Sequence, residues 1–281
     1  MKKIMCVLAL FVFSIHTSAQ DDIEKQRKAV VEEAKRLYTS EMASWYGASV
    51  LLDNITDRLR IGGYFSYEEN GEGKCIFLSN DDQPTVIGSI TFDSTFNLKT
   101  AVTDSFERKL TTREMDIYIM RKKVFEELNK DSVFKEDESI HTSLVPFINE
   151  NEKKIYALTG SQKTDVIIFG DDYLVTFDEK NNVVGKKKLH KNSISMSYKE
   201  RSDSTDEIVT MHSHLEETEE FITVTDVCTL LLHEKFTNWN GHNVIGKDHI
   251  FIWNCEKDEL MIIPRNGGTT LKGKEKGKKK K

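Results

Sequence analysis

The sequence predicts an α+β protein. A smaller helix-plus-hairpin lobe comes first, followed by a C-terminal lobe in which a mixed sheet is flanked by helices. Three observations predict it. Apolar residues recur at helical spacing in three separate stretches. Strand-like runs bounded by Gly, Asn and Asp fill the ground between them. No repeat period runs along the chain. Composition agrees: 281 residues with 38% apolar and 9% aromatic content and only three prolines exclude collagen-like, disulfide-scaffold and wholly disordered classes. No internal stretch approaches the roughly 18 apolar residues that a membrane-spanning helix needs.

Taken in order, residues 1–19 read as a secretory signal peptide. Lys2 and Lys3 form the basic n-region, residues 4–15 the apolar h-region, and Thr17-Ser18-Ala19 the small-residue cleavage site. That pattern predicts export to a bacterial periplasm or the cell exterior, with a mature chain beginning at Gln20. Residues 21–38 then read as an exposed helix, dense in Glu, Lys and Arg. The run Tyr64-Phe65-Ser66-Tyr67, the turn Asn70-Gly71-Glu72-Gly73 and the run Cys75-Ile76-Phe77-Leu78 make a hairpin. Residues 86–92 add a strand, and residues 112–129 return to helical spacing. The polar segment 130–139 marks the boundary, so residues 20–139 form the first lobe and 140–264 the second. In the second lobe, strands are expected at 155–158, 166–169, 173–177, 183–184, 208–211, 249–253 and 260–263. A tight turn at Gly170-Asp171-Asp172 and a helix over about 223–236 complete it.

Charge is unevenly spread. The net −6 contains a basic tail, residues 272–281, with seven Lys and one Glu. Setting aside the tail and the signal leaves about −14 on residues 20–271. An acidic body repels a phosphate backbone, so nucleic acid is not an expected partner. The tail, residues 265–281, reads as disordered and can touch anionic surfaces. Without Cys6 of the signal, Cys75, Cys228 and Cys255 remain. An odd number leaves two readings open: a Cys228–Cys255 disulfide with one free thiol, or three buried thiols. Trp45, Trp239 and Trp253 are scattered and read as core.

The stretch that carries chemistry is Ile208-Val209-Thr210-Met211-His212-Ser213-His214, followed by Thr223-Val224-Thr225-Asp226. On a strand, residues i and i+2 share a face, so His212 and His214 point into one site. Two imidazoles at that spacing suit Zn²⁺, and Asp226 at the start of the next helix supplies a third ligand. Two His and one carboxylate leave a coordination position for water, the mark of a catalytic centre. The same residues have a plainer reading: two packing histidines, and a helix capping box from Thr223 to Asp226.

His212-Ser213-His214 with Thr223-x-x-Asp226 resembles the JAMM (MPN-type) zinc metallopeptidase motif, His-Ser/Thr-His followed by Ser-x-x-Asp. The resemblance covers about residues 150–264. It implies that His212, His214 and Asp226 hold zinc, that Thr223 takes the place of the oxyanion-stabilising Ser, and that an upstream Glu is the general base. Glu152, before the run Ile155-Tyr156-Ala157-Leu158-Thr159-Gly160, comes nearest to that Glu, with Glu150 and Glu207 as rivals. Leu215 stands where the family commonly has Pro, and eleven residues separate His214 from Asp226 where ten are usual.

Two functions follow as expectations. One is an exported zinc-dependent hydrolase of an amide or isopeptide bond, acting on peptides or cell-wall-derived substrates. The other is a non-catalytic binding protein on the same scaffold, with a vestigial His pair. His190 reads as part of an exposed basic strand, Asp171 and Asp172 as turn residues, and His233 as a partly buried helix residue.

Overall fold

A computed structural model describes residues 2–55, 57–130, 139–198, 207–214 and 220–265, with side-chain surroundings from residue 20 onward. The basic tail beyond residue 265, and all but the ends of the expected linker 130–139, lie outside the described residues. The fold is α+β.

The first helix, α1, is Lys2–Asn54. From residue 20 on it is a core element rather than the exposed helix its charge suggests. Ala34, Leu37 and Ala43 are fully enclosed, and Leu51 nearly so. Their face also carries Ser40 and Glu41, both buried. Polar residues inside the apolar stripe are what made the helix read as solvated.

β1 (Ile61–Glu69) and β2 (Glu72–Ser79) form the expected hairpin. Asn70 and Gly71 both take positive φ, 56° and 83°, the two-residue turn whose twist matches that of the paired strands. β3 (Val86–Phe92) and β4 (Val102–Asp104) complete an antiparallel sheet in the order β1-β2-β3-β4. β2 is buried on both faces: Cys75 and Phe77 pack with α1, whereas Ile76 and Leu78 pack with α2 (Thr112–Lys130) through Ile117, Met120 and Val124.

The second half holds β5 (Ile140–Ile148), β6 (Lys153–Ser161), β7 (Val166–Gly170), β8 (Tyr173–Phe177), β9 (Val183–Lys188), β10 (Ser193–Ser197) and β11 (Ile208–Ser213). After them come α3 (Val224–His233), β12 (Trp239–Ile245), β13 (His249–Asn254) and β14 (Glu259–Pro264). These strands form three sheets, not one: β5-β6-β8-β9, β7-β10, and β11-β12-β13-β14. Only β11 and β12 pair in parallel. A parallel pair needs a crossover, and α3 supplies it.

One hydrophobic core crosses the expected lobe boundary. Ala34 and Leu37 of α1, Phe77 and Phe92 of the first sheet, Val145, Leu231, Trp239 and Trp253 belong to the same cluster, and α1 packs directly on α3. The halves are therefore not independent cores. Trp239 and Trp253 are core as expected, whereas Trp45 is 39% exposed. Cys75, Cys228 and Cys255 are all free thiols, so the Cys228–Cys255 bridge does not form. Among the described residues no helix is long and apolar enough to cross a membrane.

Candidate metal centre

Four residues from three segments converge at the N-terminus of α3. β11 alternates as the sequence predicts: Val209, Met211 and Ser213 face solvent, while His212 is buried. His214 follows one step later, anchored by its backbone N–H to the Ile245 carbonyl at 3.0 Å. The third contributor is Asp226, at the third position of α3. The Thr223 hydroxyl accepts from the Asp226 N–H, and the Asp226 carboxylate accepts from the Thr223 N–H at 2.9 Å, a complete capping box.

The fourth contributor is His190, just after β9, and sequence reasoning missed it. It is buried, not exposed on a basic strand. Leu189 is buried beside it, its N–H bonded to the Asp172 carbonyl at 2.9 Å, and this turns His190 inward. A buried Leu between Lys188 and His190 was the available signal. The turn at Gly170 and Asp171 forms as expected, with φ of 102° and 56°, and a Cβ on Gly170 would collide with the Asn192 backbone. That corner sets Asp172 beneath His190, its Oδ2 3.6 Å from His190 Nδ1.

The ligand atoms lie close together. Asp226 Oδ1 is 3.2 Å from His190 Nε2 and 3.6 Å from His212 Nε2, and Asp226 Oδ2 is 3.2 Å from His214 Nε2. His190, His214 and Asp226 form a set whose ligand atoms all fall within 4.8 Å of one another. Zinc–ligand bonds of about 2.0–2.2 Å at tetrahedral angles put neighbouring ligands roughly 3.3–3.6 Å apart, close to the separations of His190 and His212 from Oδ1, while His214 approaches Oδ2. Alignment agrees as well. Asp226 Oδ1 and His212 Nε2 are buried with no aligned hydrogen bond. In a tetrahedral sphere each lone pair aims at the shared centre, about 35° off the line to its neighbour. Short separations without hydrogen-bond alignment are what such convergence produces.

Charge is arranged to the same end. Burial opposes ionisation of Asp226, but His190, His214 and His212 around it hold its carboxyl well below the usual range. Burial pushes His212 down to about 4 and His242 to about 3, so both are neutral imidazoles. Burial also acts against a charged His190, yet the Asp226 and Asp172 carboxylates outweigh it and raise His190. Asp172 itself is pushed up to about 7 by burial. A cavity of about 270 Å³ reaches His190, His212 and His214, walled by Phe169, Ser213 and residues 191–194.

Two predicted residues do not serve as expected. Glu152 sits in the β5–β6 turn, half exposed and paired with Lys154 at 2.8 Å. The site-facing end of β6 is Thr159, whose N–H donates to Asp172 Oδ1 at 2.8 Å. Glu152 lies seven residues away, about 23 Å along an extended strand. It is not in the site, and Glu150 shares its turn. Glu207 is exposed at the far end of β11. Thr223 is present, but its hydroxyl is committed to Asp226, donating to Oδ2 at 2.8 Å while accepting from the backbone.

No family model matches the chain, and no curated protein or solved structure matches it. The resemblance to the JAMM motif rests on the motif residues themselves.

Proposed function

We propose that this chain is a zinc protein, with His190, His214 and Asp226 as its core ligands and His212 as the fourth donor, and that it acts as an exported hydrolase of an amide or isopeptide bond. One observation carries the metal: Asp226 Oδ1 is enclosed 3.2 Å from His190 Nε2 and 3.6 Å from His212 Nε2, near tetrahedral edge distances, with no aligned hydrogen bond beyond the His190 ion pair. A buried carboxylate oxygen left that way costs free energy unless something else satisfies it. The donor set of imidazoles and one carboxylate suits zinc rather than calcium or magnesium.

When bound there with a fifth position open, zinc would lower the pKa of a coordinated water to near 7 and polarise a carbonyl. The chain's own residues do the rest. Asp172 Oδ2 lies 3.6 Å from the far nitrogen of His190, the capping box fixes the Asp226 carboxylate, and a cavity of about 270 Å³ opens beside the imidazoles. The signal-like residues 1–19 support an exported location, where peptides and cell-wall cross-links are the accessible substrates.

The test uses the full mature chain, stripped of metal and titrated with zinc. One equivalent should be retained, and His190→Ala, His214→Ala and Asp226→Ala should lose it. Zinc-dependent cleavage of fluorogenic peptides or cross-linked muropeptides, abolished in Asp226→Ala, supports the hydrolase. A second reading has its own observation: four protein donors around one centre make the closed sphere of a structural site, and Glu152 is remote. Retention of zinc without cleavage of any such substrate would select it.

A further inference from the structure

Behind His212 lies a second histidine that the motif does not contain. β11 and β12 pair in parallel with Thr210 opposite His242, so both side chains stand on the face that carries His212. His212 Nδ1 is 2.8 Å from His242 Nε2, and His242 Nδ1 is 2.7 Å from Thr210 Oγ1. His242 is fully buried, and its ring stacks on Phe169, with centroids 4.7 Å apart and planes 13° apart, and on Trp239. The stacking fixes the plane of the imidazole, and the two hydrogen bonds occupy both of its nitrogens.

We propose that Thr210, His242 and His212 form a concerted tautomer relay, with His242 the positioning residue that presents His212 Nε2 to the metal. This rests on the zinc reading above. A hydrogen bond between two neutral imidazoles needs one N–H and one bare nitrogen. Only two proton arrangements satisfy all three groups. In one, His212 Nδ1–H donates to His242 Nε2, and His242 Nδ1–H donates to Thr210 Oγ1. In the other, Thr210 donates to His242 Nδ1, and His242 Nε2–H donates to His212 Nδ1. The two rings therefore always carry matched tautomers, both Nδ1–H or both Nε2–H. A metal at His212 Nε2 requires that nitrogen bare and selects the Nδ1–H pair. The outer imidazole thus does for His212 what a carboxylate or carbonyl does behind many metal-bound histidines.

The experiment is long-range ¹H–¹⁵N correlation of the histidine rings in the full mature chain, with and without one equivalent of zinc. It is paired with chelator competition on wild type, His242→Phe and Thr210→Val. With zinc, His212 and His242 should both be Nδ1–H tautomers. His242→Phe, which keeps the stacking, should weaken zinc binding by about 10- to 100-fold, the usual cost of losing such an outer partner. Thr210→Val should lose less, in the same direction. If His242→Phe does not fold, Thr210→Val and the wild-type spectra still decide. Unchanged zinc affinity in both variants, or opposite tautomers on the two rings, would overturn the relay. A wild type that binds no zinc defeats the metal reading alone, because matched tautomers in the metal-free protein remain required.

Discussion

Two of the buried polar clusters among the described residues differ in how completely they satisfy themselves. In the first half, Glu114 is 1% exposed. Its carboxylate accepts from both terminal nitrogens of Arg108, from the Thr111 N–H and from the Tyr67 hydroxyl, at 2.7–2.9 Å. Every oxygen is spoken for within the chain. In the second half, Asp226 is equally buried, yet its Oδ1 and the facing His212 Nε2 have no aligned bond. Both carboxyls are held below the usual range by cations or imidazoles around them. The difference lies in geometry. A buried charge that closes its own hydrogen bonds is part of the scaffold; the less complete closure around Asp226 is what the zinc proposal rests on.

That contrast can be broken at either end. The largest effect is expected for Glu114→Ala, which leaves the Tyr67 hydroxyl, the Thr111 N–H and part of Arg108 without their acceptor. Stability should fall by about 3 kcal/mol, read by denaturant unfolding, with zinc stoichiometry unchanged. If zinc were lost as well, the two clusters would not be separable. Next comes zinc itself. At a free concentration 100 times its Kd it should stabilise wild type by about 2.7 kcal/mol, visible as a rise in Tm, and leave Asp226→Ala unmoved. A smaller loss, about 1 kcal/mol, is expected for Thr223→Ala, which removes the helix cap. It should weaken zinc less than Asp226→Ala does, because the ligand oxygen remains.

The smallest effect is a slope with pH. The Glu114 carboxyl is lowered from an ordinary value near 4.5. Its stabilising contribution is therefore complete above that value and drains away as pH falls through the lower, folded-state value. Comparing Tm of wild type and Glu114→Gln from pH 7 to pH 3 should show the gap closing on the acid side. A gap that widened there would mean the Arg108 pair is not what holds the carboxyl ionised.

Much of the fold was legible in the sequence. β3, β8 and the hairpin of β1 and β2 stand where period and turn chemistry placed them, and α3 starts at its predicted cap. The omissions have physical causes. β12 reads Trp-Asn-Gly-His-Asn-Val-Ile, β5 carries Pro146, and β10 is a short, mostly exposed Ser-Ile-Ser-Met-Ser. β12 and the second half of β5 are strands because their neighbours bury them, and β10 because it pairs with β7. One core spans the expected lobe boundary because α1 packs against both halves, and Ser40 and Glu41 on its buried face left no clean apolar stripe to read. In the site, His212, His214 and Asp226 come together because local rules, period two and a capping box, govern them. His190, Asp172 and His242 arrive by tertiary packing from three other strands and loops. Glu152 was misplaced because alternation along β6 says nothing about which end of the strand meets the histidines.

The capping box at α3 has one more consequence. Asp226 Oδ2 is held by the Thr223 backbone and hydroxyl, so the carboxylate cannot swing to offer both oxygens to one ion. Calcium draws on bidentate carboxylates and six to eight oxygens in a loose shell. A single oxygen, locked in place by the first turn of a helix and faced by imidazoles, denies it that shell. On the zinc proposal, the hydrogen bonds that begin α3 would act as a filter on ionic size and coordination number, a selectivity set by backbone geometry before any metal is met.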